Sequence, residues 1–225
     1  RSKLDRFDLH LVLLDREAEA YPPPDFLTVH RLDCKQQMLA SIIGLWRILH
    51  RLRPAVVLSF LSRSNIANVL VAKFIGHRSV ISERANTSGH HSGVGGQISK
   101  WLIRRFYPQA DAVIAVSSGI ADDLAEHFGV ARRRIKVIAN PVDAATIRSL
   151  AAEPSPIACD QPYIVGMGRF VPSKNFALLI EAFAASELAG FQLVLVGQGP
   201  LEPELRALAA ERGIGDRVHF PGFQT

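Results

Sequence analysis

Two basic residues follow a glycine-containing apolar run in the second half of the chain. The stretch from Tyr163 to Phe176 reads YIVGMGRFVPSKNF, which places Arg169 and Lys174 where a buried strand would end. Beyond such a strand end, backbone N–H groups at the next helix start offer a phosphate site. Two cations there can hold a diphosphate and stabilise the charge that develops as it leaves. A catalytic diphosphate clamp is one interpretation of the pattern, and solvated loop charges are the other.

Glycines precede these cations and recur after a second apolar run, LVLVGQGP. Gly166 and Gly168 would let the chain turn tightly and let a ligand approach the backbone, and Gly197 and Gly199 could do the same. Neither turn completes the G-x-G-x-x-G dinucleotide fingerprint, and the chain contains no P-loop motif. The sequence therefore indicates a cleft shared by two adjacent strands, and it argues against a nicotinamide or ATP site.

The elements that must position these residues alternate between strand-like and helix-like runs. In the first part, FDLHLVLLD, PAVVLSF, SVISE, DAVIAV and IKVIAN alternate with amphipathic stretches such as QQMLASIIGLWRILHRL and SGIADDLAEHFG. Such alternation is typical of the βαβ units of a parallel sheet. The alternation begins again after a proline-containing segment, which is typical of a connection between two domains. We therefore predict a first α/β domain over residues 1–142, a linker over 143–160 and a second α/β domain from 161 to 225.

Composition limits the classes of function. The 225 residues are 48% hydrophobic, enough for ordinary cores. No apolar run is long enough to cross a bilayer and no leader opens the chain, which favours a cytoplasmic protein. The cysteines Cys34 and Cys159 lie in no metal-ligand spacing, so we expect reduced thiols and no metal. Residues 1–150 hold 21 Lys+Arg against 13 Asp+Glu, so the basic surface belongs to the first domain.

Two helix-like runs in the basic part mix aromatic and cationic residues, as helices on anionic lipid do. They are IIGLWRILHRLR, with Trp46, Arg47, Arg51 and Arg53, and SKWLIRRFY, with Lys100, Trp101, Arg104, Arg105, Phe106 and Tyr107. A peripheral position on an anionic membrane is one interpretation, and core aromatics beside a solvated cationic edge are the other. ARRRIK lacks an accompanying RNA-binding signature or stacking aromatics, so no nucleic-acid partner is expected.

The motifs together resemble a known family. GRFVPSKNFALLIEAFA followed by LVLVGQGPLEPELRALAAERGIGDRVHFPGF looks like the donor-binding half of a GT-B glycosyltransferase of the large retaining family GT4. ADAVIAVSSGIADDLAEHFGVARRRIKVIANPVD resembles the end of that family's acceptor-side domain. VISERANTSG is similar to the S-E-R-N stretch of members that add N-acetylhexosamines to lipid-linked oligosaccharides, with Ala85 interrupting the pattern.

The resemblance implies an α/β fold of two Rossmann-like domains of the GT-B type. It implies transfer of a hexosyl or N-acetylhexosaminyl group from a nucleotide-sugar, with retention and without a required metal or other cofactor, to a glycan or polyisoprenyl-diphosphate-linked acceptor. Arg169 and Lys174 would form the diphosphate clamp. The other residues implied on the donor side are Gly166, Gly168, Gly197, Gly199, Pro200, Gly222 and Phe223.

Acceptor-side candidates follow the strand SVIS. Glu83 and Arg84 would point toward the cleft, where Arg84 could pair with a phosphate of a lipid-diphosphate acceptor, and a surface role is the alternative. His90 and His91, in NTSGHHSGVGG, could orient an acceptor hydroxyl or a donor phosphate, or be solvated loop histidines. Asn140, which ends IKVIAN, is interpreted as a turn residue.

The chain departs from the family pattern at both ends. The family's first strand with its glycine-rich loop and its acidic E-x7-E element have no counterpart, so we expect a piece of a longer protein that is inactive by itself. Two other functions stay open. One is a nucleotide-sugar epimerase of the same architecture, and the other is a non-enzymatic nucleotide- or lipid-binding module.

Overall fold

The computed structural model describes residues 6–16, 22–90, 93–155, 157, 159 and 161–224. They form two compact units, Arg1–Val142 (unit 1) and Asp143–Thr225 (unit 2). In both units parallel strands alternate with helices, which confirms the predicted α/β class.

Each unit has its own parallel sheets. Unit 1 contains a two-stranded sheet, β1-β2, and a four-stranded sheet in the order β3-β4-β5-β6, while the sheet of unit 2 has the order β7-β8-β9. The strands are β1 (His10–Leu13), β2 (Thr28–Arg31), β3 (Val56–Phe60), β4 (Arg78–Glu83), β5 (Ala112–Ala115), β6 (Ile135–Val137), β7 (Tyr163–Met167), β8 (Gln192–Val196) and β9 (Val218–Gly222). The sequence pattern did not reveal β2, which has only four residues and lies among prolines and charges.

Capping or turn-forming residues stand at several helix ends. Ser117 accepts a hydrogen bond from the backbone N–H of Ile120 and so caps α5, and Gly129 ends that helix in the left-handed conformation, with φ +71°. Gly76 ends α2 in the same way. The helices are α1 (Met38–Leu52), α2 (Ser62–Ile75), α3 (Thr87–His90), α4 (Gly93–Phe106), α5 (Ser118–Phe128), α6 (Ala144–Ala151), α7 (Phe176–Ala184) and α8 (Glu202–Glu211).

The predicted linker contains a helix. Asp143 accepts hydrogen bonds from the backbone N–H groups of Ala145 and Thr146, so it caps α6. The residues of α6 are exposed, so it contributes no buried side chain to a core.

Each unit buries its own apolar core. In unit 1 the sheet side chains Ile81 and Val113 pack with residues from α2, α4 and α5, and a second cluster joins α1 to α2. In unit 2 the buried strand β8 contributes Leu193 and Leu195 to a core shared with α7 and α8. These cores hold the strands in place. Because neighbouring strands are parallel, their carboxyl ends lie at one edge of each sheet.

Some apolar strand residues stay exposed. Along β7, Tyr163, Val165 and Met167 alternate with more buried residues, and Met167 is 81% exposed. Such alternation is typical of a strand with one face on a core and the other in solvent. Within the described residues, no helix has the length and apolar character needed to cross a membrane.

Candidate functional site

Three of the predicted donor-side glycines lie together at the carboxyl edge of the unit 2 sheet. The backbone N–H of Gly168, just after β7, donates to the carbonyl of Val196 at the end of β8 (3.0 Å). The N–H of Gly197 donates to the carbonyl of Gly222 at the end of β9 (2.9 Å). The turns predicted from sequence are therefore neighbours in space, as the shared-cleft hypothesis requires.

The turns after β7 and β8 approach each other too closely for side chains. A Cβ on Gly197 would lie 1.9 Å from the carbonyl oxygen of Gly168, and the φ of Gly197 is +144°. A Cβ on Gly199 would lie 2.4 Å from the carbonyl oxygen of Phe170. Both positions require glycine because backbone occupies the space that a side chain would need.

Gly166 has a different role from the one that the sequence suggested. It lies inside β7 and not in the turn, and a Cβ there would come within 2.8 Å of the Leu179 side chain and 3.1 Å of Phe176. Its interpretation as a turn residue is wrong, because the missing side chain makes room for α7. Pro200 and Phe223 both lie exposed just beyond the strand ends, and Phe223 is 69% exposed.

The two predicted clamp cations border the Gly168 turn. Arg169 directly follows Gly168, and Lys174 ends a short 3₁₀ turn, Pro172–Lys174, that leads into α7. The Cδ atom of Lys174 lies 3.8 Å from the position that a Cβ would take on Gly168. Both side chains are exposed, so their charges are available to a ligand at this edge.

The remaining cations of residues 161–224 are already engaged. Arg206 pairs with Glu202 (2.8 Å), Arg212 pairs with Glu181 (3.3 Å), and Arg217 donates to two backbone carbonyls. In that range, Arg169 and Lys174 are the two cations whose side chains have no hydrogen bond or ion pair to another described residue. Unpaired positive charge is thus concentrated beside the glycine turns.

The acceptor-side candidates lie at the carboxyl edge of the four-stranded sheet of unit 1. Glu83 ends β4 and is only 5% exposed, so it is not the surface residue of the alternative interpretation. Its Oε1 accepts the backbone N–H of Arg84 (3.0 Å), and its Oε2 accepts the hydroxyl of Tyr107 (2.7 Å). A buried carboxylate is unfavourable without such donors, and here it has two.

The side chain of Arg84 is held at two points. Its Nη2 donates to the Oδ1 of Asn140, which follows β6, and its guanidinium lies over the ring of Phe60 at 5.6 Å from the centroid. Asn140 thus also orients an arginine, a contact that its interpretation as a turn residue did not include. The residue itself stays exposed, and its remaining N–H donors can reach a ligand.

The segment after Arg84 is fastened by an acidic residue of α5. Asp123 accepts hydrogen bonds from the backbone N–H groups of Thr87 and Ser88, at 3.2 and 3.3 Å, and from the hydroxyl of Ser88. His90 lies at the end of α3, where only its backbone is described, and His91 lies outside the described residues. The roles predicted for these histidines stay predictions.

Sequence reasoning missed several buried polar residues behind Glu83. Tyr107 was considered with the membrane-facing aromatics, yet it is fully buried, and burial together with the nearby Glu83 charge raises its pKa well above the usual range. Asn65 and Asn68, on α2, are fully buried as well. The sequence shows both as amides within the otherwise apolar stretch NIANVLV. Because buried amides need specific hydrogen-bond partners, this pattern could have indicated a buried polar network.

The described residues contain no group of three or more His, Cys, Asp or Glu side chains arranged to hold a metal ion. The candidate residues of unit 2 are glycine turns with two cations, and those of unit 1 are a buried carboxylate and an oriented arginine. Taken separately, the cations of each unit match the charge of a phosphate group.

Comparison with known proteins gives the family. The family described as Glycosyltransferase Family 4 matches residues 6–146, and the one described as Glycosyl transferases group 1 matches residues 148–225. The chain belongs to glycosyltransferase family 4. The family resemblance noted in the sequence is thereby confirmed.

Curated relatives of this GT4 chain are named as glycosyltransferases. It is 28% identical, over 98% of its length and 62% of the relative's, to an N-acetylgalactosamine-N,N'-diacetylbacillosaminyl-diphospho-undecaprenol 4-alpha-N-acetylgalactosaminyltransferase of Campylobacter jejuni. It is 37% identical to the lipopolysaccharide core biosynthesis glycosyltransferase LpsD of Rhizobium meliloti, over 53% of this chain and 34% of the relative. The chain thus spans less than two thirds of these relatives' lengths.

Solved structures share the GT-B fold. Anabaena Alr3699/HepE in complex with UDP and glucose matches 88% of the GT4 chain and 56% of its own, with 19% identity and a TM-score of 0.66. Sucrose-phosphate synthase from Thermosynechococcus elongatus matches 96% and 61%, with 16% identity and a TM-score of 0.68. These likenesses confirm the predicted fold of two Rossmann-like domains.

Proposed function

We propose that the natural protein containing this sequence is a retaining glycosyltransferase. It transfers a hexosyl or N-acetylhexosaminyl group from a nucleotide-sugar to a glycan or polyisoprenyl-diphosphate-linked acceptor, without a required metal. Unit 2 binds the donor, with Arg169 and Lys174 on its diphosphate. Unit 1 contributes acceptor-binding residues, among them Arg84.

The observation that carries this proposal is the pair of unpaired cations at the glycine turns of unit 2. Close backbone approach between Gly168 and Gly197, together with their hydrogen bonds to Val196 and Gly222, fixes the two turns beside which these cations lie. Arg169 and Lys174 can then balance the charge of a nucleoside diphosphate both when it is bound and when it departs. Relatives named as glycosyltransferases and the UDP complex of HepE support a nucleotide-sugar donor.

Calorimetry on the natural protein tests the donor site. We expect saturable binding of one of UDP, GDP and ADP, and a loss of at least about tenfold in affinity in Arg169→Ala, because a charge-assisted phosphate contact is removed. Arg206→Ala is the matched control, since that arginine is paired with Glu202 on α8. Binding of no nucleotide, or equal affinities for both variants, contradicts the proposed donor site.

Product analysis separates this function from the two alternatives. With nucleotide-sugar and a polyisoprenyl-diphosphate acceptor, a transferase forms a glycoside, whose anomeric configuration NMR can compare with that of the donor. Epimerised nucleotide-sugar without transfer would favour the epimerase, and binding without turnover would favour the non-enzymatic module. Activity that persists with EDTA supports the metal-free proposal, and loss restored by a divalent cation contradicts it.

A peripheral position on an anionic membrane is the second part of the proposal. On α4 the apolar side chains Ile98 and Trp101 are 58% and 62% exposed, and on α2 Phe74 is 79% exposed. Cations at the end of α4, Arg104 and Arg105, are exposed too. Exposed aromatic and basic residues on neighbouring turns fit a lipid surface.

Liposome co-sedimentation at low and high salt tests this part. We expect binding to vesicles containing anionic lipid that weakens as salt rises, and weaker binding for Trp101→Ser. Phe26→Ser is the control, because Phe26 is 63% exposed but lies outside these helices. No binding at low salt refutes the membrane proposal and leaves the donor site unaffected.

A further inference from the structure

A row of buried hydrogen bonds runs through unit 1 and ends at Glu83. We call this set the polar chain. Its members come from the segments around β3, α2 and β4 and from the turn after α4, and are His77, Asn68, Ser59, Asn65, Tyr107 and Glu83. All six are less than a tenth exposed.

The direction of its first links follows from the backbone around Asn68. The Nδ2 of Asn68 donates to the backbone carbonyls of Val57 and Val80 at 3.1 and 3.2 Å. Its Oδ1 therefore faces the Nε2 of His77 (2.9 Å), which must be the donor. The Nδ2 of Asn68 also lies 3.0 Å from the Ser59 hydroxyl oxygen, so its two hydrogens are shared among three acceptors, of which Ser59 is one.

The later links keep the same direction. The hydroxyl of Ser59 donates to the Oδ1 of Asn65 (2.8 Å), and the two Nδ2 hydrogens of Asn65 go to the carbonyl of Ser82 and the oxygen of Tyr107, both at 3.0 Å. The Tyr107 hydrogen is then left for Glu83, at 2.7 Å. Each hydrogen bond between two members of the polar chain thus has its donor on the side away from the carboxylate, an arrangement in which neighbouring hydrogen bonds strengthen one another.

The carboxylate of Glu83 connects the polar chain to Arg84 through a hydrogen bond with the Arg84 backbone. Because Oε2 is fixed by Tyr107, Oε1 is aimed at the backbone N–H of Arg84, while Asn140 and Phe60 hold the side chain. Arg84 is thus held at its backbone and at its guanidinium before any ligand binds. A pre-oriented arginine loses less conformational entropy on binding phosphate than a free one.

We propose that Glu83 and Tyr107 are positioning residues that set Arg84 to bind a phosphate group of the acceptor. The proposal rests on the proposed function and narrows its acceptor to one in which the sugar is linked through phosphate. Glu83, buried and with both oxygens engaged, acts through Arg84 and does not touch the substrate.

Kinetics on the natural protein with two acceptors test this role. One acceptor is the sugar linked to a short polyisoprenyl diphosphate, and the other is the same sugar as a phosphate-free alkyl glycoside. We expect Glu83→Gln to raise the acceptor KM for the diphosphate substrate about tenfold or more, because glutamine has one acceptor oxygen where Arg84 and Tyr107 need two. The KM for the alkyl glycoside and for the donor should not change.

Combined variants test whether Glu83 influences the acceptor KM through Arg84. Tyr107→Phe keeps the buried ring and removes the donor, so it should act in the same direction as Glu83→Gln. In an Arg84→Ala background, Glu83→Gln should add nothing to the diphosphate KM, because the residue through which it acts is gone. Tyr163→Phe, which removes a partly exposed hydroxyl on β7, is the matched control and should match the wild type.

Several results would overturn the inference. A purely structural role predicts that Glu83→Gln lowers turnover on both acceptors equally, or that its effect adds fully to that of Arg84→Ala. If the wild type transfers to neither acceptor, the proposed function fails. Pyrophosphate titration followed at the Arg84 Nε–H resonance then decides this inference separately: a shift weakened by Glu83→Gln supports the positioning role, and an absent or unweakened shift overturns it.

Discussion

Replacing Gly197 by alanine tests the close approach of the two turns of unit 2. The added Cβ would lie 1.9 Å from the carbonyl oxygen of Gly168, whereas real Cβ contacts stay beyond 3.0 Å, so one turn must move by about 1 Å. Alanine also resists the φ of +144°, which costs about 1–3 kcal/mol. With weakening of the Gly168–Val196 hydrogen bond, we expect a loss of about 2–4 kcal/mol of unfolding free energy.

Two other glycines of unit 2 are controls for this substitution. Gly213 has φ +71° with no atom within 4 Å of an added Cβ, so Gly213→Ala should cost only the backbone strain, about 1–2 kcal/mol. Gly190 has open space and no positive φ, and Gly190→Ala should stay within about 0.5 kcal/mol of the wild type. From the most to the least stable variant, the predicted order is therefore Gly190→Ala, Gly213→Ala, Gly197→Ala.

Urea unfolding of the chain, followed by far-UV circular dichroism, measures these effects. Tryptophan fluorescence would not report them directly, because both tryptophans, Trp46 and Trp101, lie in unit 1. Nucleotide binding by Gly197→Ala should also weaken, since either movement changes the position of the Gly168 turn, which carries Arg169, relative to the Gly197 turn. An unfolding midpoint for Gly197→Ala equal to that of Gly190→Ala would refute the reasoning.

Three further predictions concern single side chains. Arg169→Ala or Lys174→Ala should slow transfer by about 10²–10³-fold through weaker leaving-group stabilisation, and steady-state kinetics with unchanged turnover would remove that residue from the mechanism. The hydrogen bond from Arg63 lowers the pKa of Asp15, so the ionised carboxylate adds stability above its unfolded pKa that is lost as pH falls through the folded pKa. Asp15→Asn should therefore cost about 1–3 kcal/mol at pH 7 and converge with the wild type in acid, whereas a gap in urea midpoints independent of pH would contradict this. Ser117→Ala should cost about 1 kcal/mol by removing the α5 cap, and an unchanged thermal midpoint would speak against it.

Local signals explain what the sequence could predict. The alternation of apolar runs predicted the parallel strands other than β2. Ser117, Gly76 and Gly129 stand at helix ends, and such positions are open to sequence reasoning because capping depends on a few adjacent residues. The grouping of Gly168 and Gly197 followed from one rule, that parallel strands end at a common edge. These features need no knowledge of distant contacts.

What the sequence could not predict depends on partners far along the chain. The link from Tyr107 to Glu83 spans 24 residues and that from Arg84 to Asn140 spans 56, so no local pattern reveals them. Gly166 looked like a turn residue because its packing against α7 involves side chains ten or more positions away. Long-range packing therefore decided the points on which sequence reasoning failed or was silent.

The polar chain also restricts how this sequence can change over evolutionary time. Replacing Asn65 or Asn68 alone leaves neighbouring donors and acceptors buried without partners, which typically costs about 1–3 kcal/mol for each group. An apolar replacement of the whole set could be tolerated, since packing would substitute for the lost hydrogen bonds. Among homologous sequences, the positions of Ser59, Asn65, Tyr107 and Glu83 should therefore vary together, and a lineage that has lost one should have lost the others.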